Sequence, residues 1–233
     1  MKSQIKSSKM GRPQSAEKRQ AILKAAGELF MEVGFAASVD RIAEAAGVSK
    51  QTVYGHFGSK EDLYREAGIH TLRAPVASLV DRTLPLADAL RKYGRDTLAK
   101  LLSDALITTH RRLIEQAATF PAMAKVHAEF GPGLSIQALT DYFAEQMAAG
   151  ALRPADARLA AEDFLALLQG MSRLDRLFGH TTAPGAAAIG RHVDHAIEVF
   201  LRAYGAAGAA AAIAAATPNP RKRPARPRAK DDS

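Results

Sequence analysis

Apolar residues recur at spacings of three and four along most of this chain, and the alternation of a half-buried strand is nearly absent. The first such run, Ser15 to Gly34, places Ile22, Ala25, Ala26, Leu29, Phe30 and Val33 on one face and closes on Gly34 as a C-terminal stop. A shorter stripe follows, Val39, Ile42, Ala43 and Ala46, behind Ser38, whose side chain can cap a helix by accepting from a free backbone N–H. Gly47 ends it, Val48 plugs the turn, and Ser49 caps a third helix in which Val53 and Phe57, four apart, point inward. Ser59-Lys60-Glu61-Asp62 reads as a capping box that opens a fourth helix through Leu63, Tyr64 and Ala67.

The helical pattern continues to about residue 204. Leu72 to Leu84 prolongs the fourth helix across Pro75, a candidate kink. Leu86, Leu90, Tyr93, Leu98 and Leu101 mark the next helix, Leu86 to Leu102. Ser103-Asp104 then caps one running to about Phe120, and Pro121 opens a short one ended by Gly131-Pro132-Gly133. Leu134 to Ala149 is another, and two longer helices are expected from about Pro154 to Phe178 and from about Pro184 to Tyr204. The prediction is an all-α chain: a basic arm over 1–14, a helical domain over 15–66, a larger helical domain over 67–205, and an Ala-rich then basic Pro/Arg tail over 206–233.

Residues 38–57 carry the chemistry. Two short helices joined by a three-residue corner make a crossed pair, the geometry of a DNA-reading helix-turn-helix, and the inward Val53 and Phe57 leave Lys50, Gln51, Thr52, Tyr54 and His56 outside. Donor-rich, short-reach and planar side chains of this kind suit base edges and phosphates in a major groove. The competing reading is a plain helical hairpin with a solvated face.

The stretch GRPQSAEKRQAILKAAGELFMEVGFAASVDRIAEAAGVSKQTVYGHFGSKEDLY resembles the N-terminal DNA-binding domain of TetR-type transcriptional regulators. The G-F after the first helix, the I-A-x-x-A-G-V-S corner, the T-V-Y-x-H-F recognition helix and the S-K-E-x-L start of the fourth stand in order. One departure is Gly55 inside the recognition helix, which costs about 1 kcal/mol of helix propensity against alanine. The resemblance implies a homodimer on a pseudo-palindromic double-stranded operator. Gln51 and Thr52, with His56, are expected to read bases, and Lys50, Tyr54 and Lys60 to hold phosphates. Arg12 in the leading arm, Arg41, and the capping Ser38 and Ser49 complete the expected DNA-binding set. RRLIEQAATFPAMAKVHAEFGPG and AAEDFLALLQG resemble the ligand-binding and dimerisation domain of AefR-like and AcrR-like members.

That second resemblance implies a small, apolar effector and a four-helix dimer interface. His110, Phe120, Met123, His127, Phe130, Tyr142, Phe143 and Met147 are the candidates for the pocket, although each is also an ordinary core type. Phe164, Leu168 and Met171 on one helix, with Ile189, Val193, Ile197 and Phe200 on the last, are the candidates for the interface, the alternative being that these stripes face their own subunit's core.

Composition narrows the classes. The net charge of +8 resides in the two ends: Lys2, Lys6, Lys9 and Arg12 at one, and six basic against two acidic residues after 220 at the other, so residues 14–217 are formally neutral. Cationic termini keep a second class open, a nucleoid-type architectural protein that binds DNA by backbone charge alone. No cysteine occurs, which excludes disulfides and thiolate metal sites. His192 and His195, three apart, have no third ligand at matching spacing, so no metal and no cofactor is expected. None of G-x-S-x-G, G-x-x-x-x-G-K-[ST] or H-E-x-x-H is present, so no catalysis is expected. With no secretory signal and no apolar run of membrane-spanning length, the expected place is the cytoplasm, at the nucleoid, with no membrane partner.

Overall fold

The computed structural model of the chain describes residues 12–81 and 83–206. Its order is α1 (Arg12–Val33), a 3₁₀ turn (Gly34–Ala36), α2 (Val39–Ala45), α3 (Lys50–Phe57), α4 (Lys60–Val80), α5 (Leu86–Leu101), α6 (Asp104–Gln116), α7 (Pro121–Phe130), α8 (Pro132–Ala148), α9 (Ala157–Gln169), α10 (Ser172–Phe178) and α11 (Ala186–Tyr204). The serine caps act as their positions predict: Ser38, Ser49, Ser59 and Ser103 each accept from the backbone N–H three residues on. Ser59 also donates its hydroxyl to Asp62 Oδ2 at 2.6 Å, while its N–H goes to Phe57 O at 2.9 Å, so the cap forms without the reciprocal bond of the expected box.

Several expected boundaries move, and the larger changes have local reasons. α4 continues through Pro75 but stops at Val80, not Leu84, because the Asp81 carboxylate takes the Thr83 N–H (3.0 Å) and hydroxyl (2.6 Å) in a competing turn. α6 stops at Gln116, not Phe120; Phe120 precedes a proline and sits at φ −125°, ψ 64°, outside the helical region. The helix expected over Pro154 to Phe178 is two helices. It starts late because Arg153 N–H donates to Tyr204 O at 2.8 Å, pairing the Leu152 segment with Gly205, and because Asp156 is the cap. It breaks at Gly170, where φ is +49°, a left-handed geometry open to glycine. The last helix begins at Ala186 behind Gly185 instead of at Pro184.

Two cores result. The lower one joins α1–α4, with Ile22, Ala26, Ile42 and Leu63 fully buried, to Leu113, Met123, Val126 and Phe130 from α6 and α7. The upper one joins α5, α8, α9 and α11 around a stack of rings in which Phe200 lies 4.8 Å from Phe143, 5.1 Å from Phe164 and 4.9 Å from Tyr204. α4 runs through residue 66, and the lower core takes five of its buried members from beyond it. The end of α1 is held by α6: Gln116 accepts from Phe35 N–H at 2.7 Å and donates to Val33 O at 3.2 Å, Thr109 donates to Met31 O at 3.1 Å, and Arg112 donates to the Met31 and Glu32 carbonyls. Gly34 allows this clamp, since its φ is +69° and a Cβ there would lie 2.6 Å from Gln116 Oε1.

Candidate nucleic-acid interface and effector cavity

α3 is anchored by Val53 and Phe57, which are 1% and 5% exposed, and it turns Lys50, Gln51 and Tyr54 to solvent, with Thr52 and His56 half-buried at its flanks. The expected DNA-binding set divides by what each group already holds. Ser38 Oγ accepts from Arg41 N–H at 3.2 Å, and Ser49 Oγ accepts from Thr52 N–H at 3.1 Å and shares a 2.8 Å hydrogen bond with the Thr52 hydroxyl. Both serines therefore build the helices first. Lys50 Nζ donates to Asp40 Oδ2 at 2.9 Å, and that hydrogen bond and charge hold its pKa above the usual lysine value. Gln51, Arg41 and Tyr54 are exposed. Arg12 is the first residue of α1; its side chain and the arm before it lie outside the described residues, as does the tail from 207.

Lys60 departs from its expected place. Its amino group donates to Phe35 O at 2.7 Å and sits 6.0 Å from the Phe120 ring centre, and burial lowers its pKa. It ties the start of α4 to the 3₁₀ turn and does not stand ready for a phosphate.

Between the two cores lies a cavity of about 180 Å³. It is walled by α1, α4, α5, α6, α7, α8 and α9, and Arg173 reaches it from α10. Of the expected pocket residues, His110, His127 and Phe130 line it. The other five do not: Met123 is buried in the lower core with Phe120 against it, and Tyr142 and Phe143 are buried in the upper core with Met147 against it. Helical spacing marks a side chain as inward but leaves open which interior it enters. Sequence reasoning missed Phe30, Tyr64, Thr109 and Arg173, which also line the space. The first two sit on helices assigned to the DNA-binding domain, so only packing connects them with the cavity. Tyr64 is a hub: its ring lies 4.8 Å from Phe30 and 5.0 Å from Phe130, its hydroxyl is 2.9 Å from His127 Nδ1, and burial raises its pKa.

The expected dimer residues are likewise placed by packing. Phe164, Leu168, Ile189, Val193, Ile197 and Phe200 are each 7% exposed or less and belong to the upper core of their own chain. Met171 differs, at 66% exposure, and with Leu174 (42%) and Phe178 (70%) it forms an outward apolar stripe on and beside α10. α10 is held by its inner side, where buried Arg176 donates to Leu102 O and Thr181 O and pairs with Asp104, while Arg111 of α6 donates to the Arg176 and Leu177 carbonyls. On α11, His192 Nε2 donates to Leu168 O at 2.8 Å. Among the described residues no helix is long and apolar enough to cross a membrane.

Comparison with known proteins agrees with this architecture. Residues 22–67 match the bacterial regulatory proteins of the tetR family, and residues 88–206 match the C-terminal domain of AefR-like transcriptional repressors. The fold is similar to that of a putative TetR-family transcriptional regulator from Mesorhizobium loti MAFF303099, with 28% identity, 83% of this chain and all of that one covered, and a TM-score of 0.67. It is also similar to the flavonoid-responsive regulator FrrA, at 33% identity over 82% of this chain and 98% of the other, with a TM-score of 0.60. The HTH-type transcriptional activator FasR of Mycolicibacterium smegmatis is 51% identical over 49 residues, 21% of this chain, and the regulator YdeS of Bacillus subtilis is 43% identical over 72 residues, 30% of this chain. Those two matches span only 22% and 36% of the relatives' own lengths. With an outward-facing recognition helix at one end, an AefR-like helical domain at the other, and both halves matched in order, the chain belongs to the TetR family of transcriptional regulators.

Proposed function

We propose that this protein is a ligand-responsive repressor that binds a pseudo-palindromic operator as a homodimer. The observation that carries the reading is α3: a helix fastened by Val53 and Phe57 that offers Gln51 and Tyr54 outward at the spacing a major groove accepts. Gln51, Thr52 and His56 read base edges; Arg41, Lys50 and Tyr54 hold phosphates, Lys50 exchanging Asp40 for the backbone. Lys60 is left out of the contact set because its amino group is committed to Phe35 O. Repression is supported by the AefR-like repressor match over residues 88–206, and a small, mainly apolar effector by the cavity and by the likeness to a flavonoid-responsive regulator.

The cavity suits a switch because it touches both cores. Thr109 lines it and also bonds to Met31 at the end of α1, and Phe30 and Tyr64 line it from within the DNA-binding half. A ligand that prefers one setting of α1 and α4 against α6 shifts the two recognition helices of a dimer away from successive grooves, and by reciprocity operator DNA weakens the ligand.

The test is genome-wide recovery of bound fragments followed by footprinting. Paired half-sites about one helical turn or a small multiple apart are expected, and Gln51→Ala should relax preference at one position per half-site, at a cost of about 1–3 kcal/mol. Single asymmetric half-sites count against the dimeric operator. Loss of all affinity on removing residues 218–233, with Gln51→Ala and Tyr54→Ala silent, would establish the architectural reading instead.

A further inference from the structure

Among the described residues the lysines and arginines lining the cavity are Lys100 and Arg173, and none of the lining residues is an aspartate or glutamate. An enclosed cation is normally paired, because burial without a counter-charge is costly. Among the described residues Arg173, which is partly buried, has no carboxylate partner: its Nη1 donates to the neutral Gln169 amide oxygen at 3.1 Å, one turn back, and its Nε is enclosed without a partner. Its positive field is felt across the space, since it helps to depress the pKa of both His110 and His127, and burial lowers its own. His110, only 8% exposed, likewise keeps Nδ1 enclosed and unpartnered. Three of the buried polar atoms without a partner among the described residues, Thr97 Oγ1, His110 Nδ1 and Arg173 Nε, thus belong to side chains lining one cavity, the guanidinium asking for an acceptor. Apolar side chains cover much of the remaining wall, with Phe30, Leu106, Leu113 and Leu165 prominent in it, beside the hydroxyls of Tyr64, Thr97, Thr109 and Ser135.

We propose that the effector is an amphipathic monoanion, a carboxylate or acidic phenol on a compact apolar body. Its charged oxygens sit on the Nε edge of the Arg173 guanidinium, a fork that matches a carboxylate, its polar group reaches His110, and its body lies against the four apolar side chains. The assignment rests on the reading of this cavity as the effector site and narrows it from apolar molecules in general to apolar acids.

Calorimetric titration of the full-length protein with cinnamate, naphthoate and decanoate, each against its uncharged amide, tests the assignment. At least one carboxylate should bind about tenfold or more tightly than its amide. Arg173→Met should erase that preference while leaving the melting temperature and ligand-free operator affinity as in the parent. The bound acid should also lower operator affinity in the parent. Equal binding of acid and amide, a preference that survives Arg173→Met, or failure of all three carboxylates to bind at millimolar concentration overturns the proposal. Leu106→Trp, which fills the cavity, separates the two levels. If it blocks acids and amides alike and no charge preference exists, the cavity reading stands and only the anion is wrong; if binding is untouched by it, the effector-site reading falls as well.

Discussion

At His110 burial, followed by the positive charges of Arg173 and His127, pushes the imidazole pKa down to about 4 from an ordinary value near 6.5. The folded protein holds this ring neutral while the unfolded chain takes up a proton below about 6.5, so the unfolded state binds more protons and stability falls as pH drops through the window between 6.5 and 4. The single-site effect is on the order of 3 kcal/mol at the acid end. His127 is shifted in the same direction, chiefly by burial, and adds to the loss. Urea melts of the parent and His110→Leu at pH 7 and at pH 4.5 should show the variant losing less stability on acidification. Equal losses would mean that the ring reaches water in the folded state. This behaviour was not legible in the sequence, where His110 is one histidine on an amphipathic helix. The serine caps were legible, because a cap and its N–H lie three residues apart in the chain. Lys60 shows the limit of that reasoning: it is a basic residue beside a recognition helix, and only the distant Phe35 carbonyl decides where its amino group goes.

The recognition helix raises a sharper question at the scale of one element. Gly55 lies within the eight residues of α3, and a Cβ built there would meet nothing within 4 Å. Gly55→Ala should therefore stabilise the free protein by up to about 1 kcal/mol through helix propensity alone. Thermal unfolding checks the stability, and operator binding checks the role. Higher stability with weaker DNA binding would show that α3 needs a bare backbone for close approach; unchanged stability would mean that the helix ends are frayed and Gly55 costs nothing. α9 and α10 give the opposite lesson about glycine. Their apolar positions fit one continuous helix from 157 to 178 in spacing, yet Gly170 at φ +49° divides them and sends Met171 outward. Periodicity does not register a single left-handed residue, because the hydrophobic positions on either side keep helical spacing within each half.

The distribution of apolar surface bears on assembly of the whole molecule. Met171, Leu174 and Phe178 remain exposed, and for the homodimer we propose this stripe as the contact surface, since the faces of α9 and α11 are already covered within the chain. Phe178→Glu should convert dimer to monomer in analytical ultracentrifugation without lowering the melting temperature of the monomer, because Phe178 is 70% exposed and its removal opens no cavity. A variant that stays dimeric puts the interface elsewhere. A monomer should also lose most operator affinity, since two half-sites are then bound independently.

The sequence by itself determined the all-α class, the helix-turn-helix, its caps and the outward residues of α3. All of these depend on spacings of three or four residues and on groups that interact with their near neighbours in the chain. Only the tertiary structure decided which interior each apolar face enters. It put Phe164, Leu168, Ile189, Val193, Ile197 and Phe200 in the core of their own chain, separated Met123 and Phe143 from the cavity, and brought Phe30, Thr109 and Arg173 together across more than 140 residues. Burial is non-directional, so an apolar stripe specifies that a face is covered but not by what; the covering surface is chosen by long-range packing of the whole chain.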